Sequence, residues 1–133
     1  MGTVNRKYHK GDIIFKEGKT GDCCYVVKSG RVEVFKMQRG KEVKLAELCE
    51  YEFFGEMSLL DPNNRLRSAS VRAIEDSDVI IMSKEMFQQY LGQLTPGIQN
   101  LIRTLVIRLR KTNAQLRYYQ DKEVEEKLDI MVD

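Results

Sequence analysis

A chain of 133 residues with 42% hydrophobic and 32% charged side chains is the size of one domain and long enough to bury a core. Its 22 Lys and Arg against 20 Asp and Glu leave a formal charge of +2, too small to demand a nucleic-acid or membrane surface. No apolar run approaches the roughly 18 residues that cross a bilayer, and the opening MGTVNRKYHKGD lacks a signal-peptide core. Arg6 stands where a myristoylation motif starting at Gly2 requires Ser or Thr. Of the three cysteines, Cys23 and Cys24 are adjacent and Cys49 is distant. That is neither a disulfide framework nor zinc-ligand spacing, so reduced thiols in a cytoplasmic protein are expected.

Taken in chain order, the first two-thirds reads as short apolar pieces bounded by glycine: DIIFKEG, CCYVVKSG, RVEVFKMQRG, KEVKLAEL, SASVRAI and SDVIIMS. Val, Ile, Phe and Tyr enrichment with punctuation at this spacing predicts strands of an all-β sandwich or barrel. Residues 31 to 48 read as a hairpin turning at Arg39-Gly40, with Val32, Val34 and Met37 on one face and Arg31, Glu33 and Lys36 on the other. Phe53 and Phe54 are expected in the core. From Ser83 the period changes. SKEMFQQYLGQL places a Ser at the N-cap with Glu85 behind it, and Met86, Phe87, Tyr90, Leu91 and Leu94 recur at helical spacing. After Pro96-Gly97 a long helix is predicted. Its stripe of Ile102, Leu105, Leu109, Thr112, Leu116 and Tyr119 steps in a heptad-like rhythm that suits a seam with a second copy. The same stripe is also compatible with packing on the β body.

The stretch FFGEMSLLDPNNRLRSASVRA, residues 53 to 73, carries the chemistry. Gly55 permits a sharp turn or the close approach of a ligand. EMSLLD reads as a short helical turn whose free N–H groups favour a phosphate, and Pro62-Asn63-Asn64 as a turn. An arginine at 65 or 67 can make paired hydrogen bonds to the same anion, while Glu56 accepts from hydroxyls or pairs with a cation. The combination fits a sugar phosphate. It equally fits an internal Glu56–Arg67 ion pair. Enzymatic readings find little support, because His9 is the lone histidine and neither a triad nor a histidine metal cage can be assembled from it.

The run Gly55-Glu56-Met57-Ser58-Leu59-Leu60 followed by Arg67-Ser68-Ala69-Ser70-Val71-Arg72-Ala73 closely resembles the phosphate-binding cassette of the cyclic-nucleotide-binding domains. Upstream, Tyr8, Gly11, Asp12, Glu17, Gly18, Gly21, Asp22, Tyr25, Val27 and Gly30 resemble that family's first strands and turns, so the likeness covers about residues 8 to 120. The resemblance implies a single domain over 1–133, mostly β with flanking helices: an eight-stranded, jelly-roll-like β-roll over about 8–82, then a short helix and a long C-terminal helix over about 83–125. It implies a cyclic nucleotide whose phosphate meets Arg67, Ser68 and the neighbouring Ala69, and whose ribose 2′-hydroxyl meets Glu56, with Gly55, Met57 and Ser58 lining the pocket. The stretch before the arginine is about one residue longer than the family pattern, which leaves Arg65 as an alternative to Arg67.

Within the family the likeness is to the bacterial cyclic AMP receptor proteins, which PGIQNLIRTLVIRLRKTNAQL resembles in the dimerising helix. That likeness puts Arg108 near the ribose, Thr112 and Asn113 at adenine, and Val34, Leu45 and Ala46 against the base, with plain core an equal reading for Val34. Cyclic AMP is thereby the first choice. Ser68 keeps cyclic GMP open, since related domains hold guanine with a hydroxyl there. No cofactor or metal is implied beyond the nucleotide. The acidic stretch DKEVEEKLDIMVD, 121–133, is too short for a helix-turn-helix, so neither DNA binding by this chain alone nor membrane contact is expected. The output would pass to an effector protein or domain. A domain that has lost the ligand and only dimerises or scaffolds is the competing expectation.

Overall fold

A computed structural model describes the backbone of residues 3–61 and 63–132, with side chains through Leu116 and at Lys122. Pro62 and the side chain of Tyr119, both invoked above, lie outside the described residues. Eight strands occur among them: β1 (Thr3–Tyr8), β2 (Ile13–Phe15), β3 (Cys23–Ser29), β4 (Val32–Gln38), β5 (Lys41–Leu48), β6 (Phe53–Phe54), β7 (Ser70–Ala73) and β8 (Ser77–Ser83). They form two antiparallel four-stranded sheets in the orders β1-β8-β3-β6 and β2-β7-β4-β5. Three helices complete the chain: α1 (Met57–Leu60), α2 (Lys84–Gly92) and α3 (Pro96–Val132).

The core lies where the sheets face each other. Tyr25, Val27, Phe54 and Val79 from one sheet pack with Val32, Val71 and Ala73 from the other, the interdigitation expected of a sandwich. Tyr25 and Phe54 stack with ring centroids 4.9 Å apart. The β4–β5 hairpin turns at Arg39 (φ 54°) and Gly40 (φ 78°), the two left-handed residues that match strand twist in a tight hairpin.

A register shift opposite Val34 and Phe35 leaves Leu45 of β5 without a partner, while β4 pairs with β7 in unbroken register. Val32 and Val34 face the core, whereas Phe35 lies on the other face beneath the Arg72 guanidinium. Met37, an odd number of residues from Val32, shares that outer face and is exposed, which corrects the face assigned to Met37. Strand β5 is an edge of its sheet, exposed from Lys41 to Glu47, and its lysines blunt that edge.

Strand β1 begins before the predicted roll. It pairs with β8 from Thr3↔Met82 to Tyr8↔Ser77, but of its six residues Tyr8 alone is buried. Backbone pairing rather than hydrophobic alternation makes it a strand. Ser83 caps α2 by accepting from the Met86 N–H at 3.1 Å, and Thr95 Oγ1 accepts from Ile98 N–H at the start of α3. Phe54 is buried, but Phe53 is 53% exposed. Successive strand residues face opposite sides, so only one of the pair can enter the core.

Candidate functional site

A cleft of about 220 Å³ opens where β6, α1, the approach to β7 and one turn of α3 meet. The local chain explains its shape. Gly55 follows β6 with φ 78°, a conformation that costs a residue with a Cβ about 1–2 kcal/mol. The chain then turns into α1, where Leu59 and Leu60 donate to the Glu56 carbonyl at 3.0 and 3.1 Å. Residues 65 to 67 return antiparallel to the 18–21 loop: Gly18 donates to the Arg67 carbonyl at 2.9 Å, Arg67 to that of Lys19 at 2.7 Å, and Gly21 to that of Arg65 at 2.8 Å.

Arg67 is 5% exposed, and both of its terminal guanidinium nitrogens have protein acceptors. Nη1 donates to the Gly55 carbonyl at 2.6 Å and to Ser58 Oγ at 2.8 Å, and Nη2 to the Cys23 carbonyl at 2.8 Å. The guanidinium carbon sits 4.2 Å from the Phe15 ring centroid, a favourable cation–π placement. This seat requires glycine at 21. A Cβ there would collide with Ser58 Oγ and stand 2.6 Å from Arg67 Cζ. Arg65 is exposed and does not line the cleft, so of the two candidate arginines Arg67 is the one at the site.

Glu56 lines the same cleft. The internal Glu56–Arg67 ion pair is not formed: among the described residues no cation lies within ion-pair distance of the carboxylate. Burial pushes the Glu56 carboxyl above its usual range, opposed less strongly by its own backbone N–H and the charge of Arg67. A half-buried carboxylate without a partner is costly unless something donates to it. Behind the cleft, burial pushes the fully buried Cys24 thiol up to about 11, with Glu56 adding to the effect.

The cleft brings together Val34, Gly55, Glu56, Met57, Ser58, Arg67, Ser68 and Ala69 from the residues singled out in the sequence. It does not bring in Leu45, Ala46, Arg108, Thr112 or Asn113, which are all exposed elsewhere. In their place stand Leu48 and Phe53 as apolar walls, Phe15 beneath Arg67, and Arg110 from α3. Leu48 ends the hairpin strand that carries Leu45 and Ala46, pairing with Val32 where Ala46 pairs with Val34. Arg110 lies two residues beyond Arg108, which is about 200° around a helix. The glycine at 21 was a readable signal for close packing; the phase of α3 had none.

The sequence profile of the family described as "Cyclic nucleotide-binding domain" matches residues 5–93. The chain is 38% identical over 112 residues to the cyclic AMP receptor protein of Thermus thermophilus, covering 84% of this chain and 51% of that protein. Among solved structures it is similar to the EAL enzyme Bd1971 in its cAMP-bound form, with a TM-score of 0.77 and 39% identity over 90% of this chain and 31% of that one. The cGMP-bound form of the same enzyme gives a TM-score of 0.76 and 35% identity over 90% of this chain and 34% of that one. The chain spans about half the length of the bacterial relatives it matches.

Proposed function

The chain belongs to the cyclic nucleotide-binding domain family, and from that premise we propose that its cleft binds a cyclic purine mononucleotide, cyclic AMP ahead of cyclic GMP, and passes occupancy to α3. The carrying observation is that Glu56 and Arg67, from opposite ends of one chain segment, line a single cleft without neutralising each other. Glu56 accepts from the ribose 2′-hydroxyl, which relieves its unpartnered carboxylate. Arg67 and the exposed Ser68 hydroxyl meet the phosphate, with Ala69, Gly55, Met57 and Ser58 shaping the seat. Val34 and Leu48 supply the apolar wall for the base. This is a binding role, and it asks no side chain to do chemistry.

The preference for cyclic AMP is supported by the cyclic AMP receptor protein among the relatives, while a similar enzyme has been solved with cAMP and with cGMP. Thr112 and Asn113 are the adenine-reading candidates. Exposed on α3, they reach the base through pairing or movement of that helix. A homodimer through α3 is supported by its apolar face: Leu101, Leu105, Leu109 and Leu116 are each about half exposed in the single chain. Output then passes to an effector protein or domain, the nucleotide shifting α3 in proportion to its differential affinity for the two helix positions.

That same exposed face favours a second reading, a dimerising or scaffolding module that binds no nucleotide. Thermal denaturation of the chain with cyclic AMP, with cyclic GMP and with neither separates the two. A ligand at 100 times its Kd adds about 2.7 kcal/mol to stability, so the midpoint should rise with cyclic AMP most and cyclic GMP next. Silence from both nucleotides leaves the scaffold.

A further inference from the structure

Arg110 reaches from α3 to the segment that leads into Arg67. Its Nη1 donates to the Asn64 carbonyl at 2.7 Å and to Asp61 Oδ2 at 3.3 Å, and its Nη2 to the Leu66 carbonyl at 3.4 Å. One guanidinium thereby holds residues 61, 64 and 66. The charges are withdrawn from water, with the Arg110 and Asp61 side chains 12% and 9% exposed. A pair in that setting contributes modestly as a pair, but losing one member strands the other charge. Asp61 also shapes the turn, accepting from Asn63 N–H through Oδ1 at 2.9 Å.

The other side of this segment is tied to the 18–21 loop through Gly21 and Arg65. Arg110 is thus the α3 counterpart of that loop, and residues 64–67 are held between the two. Arg110 itself lines the cleft. Its Nε is buried with no acceptor among the described residues. Without Arg110, Asp61 would be an uncompensated carboxylate one side chain from the seat of an anion.

We propose that Arg110 is a positioning residue: by bridging α3 to segment 61–66 and cancelling the charge of Asp61, it holds Arg67 and Ser68 in place and makes anion binding and the position of α3 mutually dependent. Such dependence is reciprocal, so whatever moves α3 alters affinity and the reverse. The effect on the segment stands without a ligand. The effect on affinity rests on the cyclic-nucleotide reading.

The test uses the full chain carrying Arg110→Gln, Arg110→Lys, Asp61→Asn or the Asp61→Asn/Arg110→Gln pair. Hydrogen exchange without nucleotide should show the amides of Leu66 and Arg67 in Arg110→Gln exchanging about tenfold faster or more, with β3 and β8 unchanged, the mark of local rather than global opening. Calorimetry with cyclic AMP should show about tenfold weaker binding for Arg110→Gln, an intermediate loss for Arg110→Lys, and partial recovery in the pair, where the stranded charge is gone. If Arg110→Gln does not fold, Arg110→Lys carries both readouts. Unchanged exchange at Leu66 and Arg67 overturns the bridge, and wild-type affinity in Arg110→Gln overturns the coupling. A wild-type chain that binds neither cyclic AMP nor cyclic GMP overturns the cyclic-nucleotide reading instead, and exchange then decides the bridge alone.

Discussion

The two sheets and the long helix use their apolar residues in opposite ways. In the sheets Val27, Val32, Ala73 and Val79 are fully buried, whereas on α3 Leu109 and Leu116 remain 51% and 55% exposed. Each sheet has a partner sheet within the chain, so its inner face is complete. A 37-residue helix is about 55 Å long at 1.5 Å per residue, far more than so small a body can cover. The sheets therefore close on each other, whereas α3 meets the body on one side, with Arg110 bonded to the turn after α1, and leaves a leucine face exposed.

That division can be broken at its strongest point first. Phe54→Ala removes the ring stacked on Tyr25 in the shared core and should cost about 3–5 kcal/mol in chemical denaturation; a loss under about 1 kcal/mol would mean that the sheets do not depend on a common core. Arg67→Ala removes the guanidinium donors to the Cys23 carbonyl, the Gly55 carbonyl and Ser58 Oγ, leaving the last two only each other. It should cost about 2–3 kcal/mol and also abolish calorimetric binding of cyclic AMP. This residue belongs to the body as well as to the site, so its removal weakens the fold, and retention of full stability would detach the two.

Glu56→Gln sharpens the comparison by separating site from body. Burial raises this carboxyl above its ordinary value of 4.5, so the folded chain keeps the proton to higher pH than the unfolded one. The resulting stabilisation is complete below the unfolded value and is lost as pH rises through the folded one. In melts from acid to neutral pH the wild type should lose stability through that window, while Glu56→Gln stays flatter, melts slightly higher at neutral pH and binds cyclic AMP less well. A variant that follows the wild-type pH dependence would remove Glu56 as its source. The smallest effect on folding belongs to α3. The pair Leu105→Ala and Leu109→Ala should change denaturation of the body by no more than about 0.5 kcal/mol yet reduce self-association in analytical ultracentrifugation. Persistence of the dimer would place its seam elsewhere.

Much of the architecture was readable because its signals are local. Arg39-Gly40 between two alternating runs announces a hairpin, and Ser83 before an apolar helical repeat announces a cap. Strand β1 gave no such signal: Thr3 to Lys7 are exposed, and they are a strand because β8 offers them a backbone. Phe53 was placed in the core and Met37 on the Val32 face, and the alternation of strand side chains turns both outward. The site was legible as far as it is contiguous. Gly55, Glu56, Met57, Ser58, Arg67, Ser68 and Ala69 come from one short segment and enter one cleft. The residues assigned from elsewhere divided, with Val34 at the cleft and Leu45, Ala46, Arg108, Thr112 and Asn113 away from it.

The order of residues by itself determined a mostly β body, its turns and caps, and a segment bearing one carboxylate and one guanidinium, because each rests on neighbours within a few positions. Tertiary structure alone decided that Arg67 is held by Gly55, Ser58 and Cys23 over Phe15, that Gly21 leaves it room, and that Arg110 is the α3 residue at the cleft. Those facts depend on how strands and a long helix lie against one another. A helix presents a new side chain every 100°, and only docking selects which one meets the site.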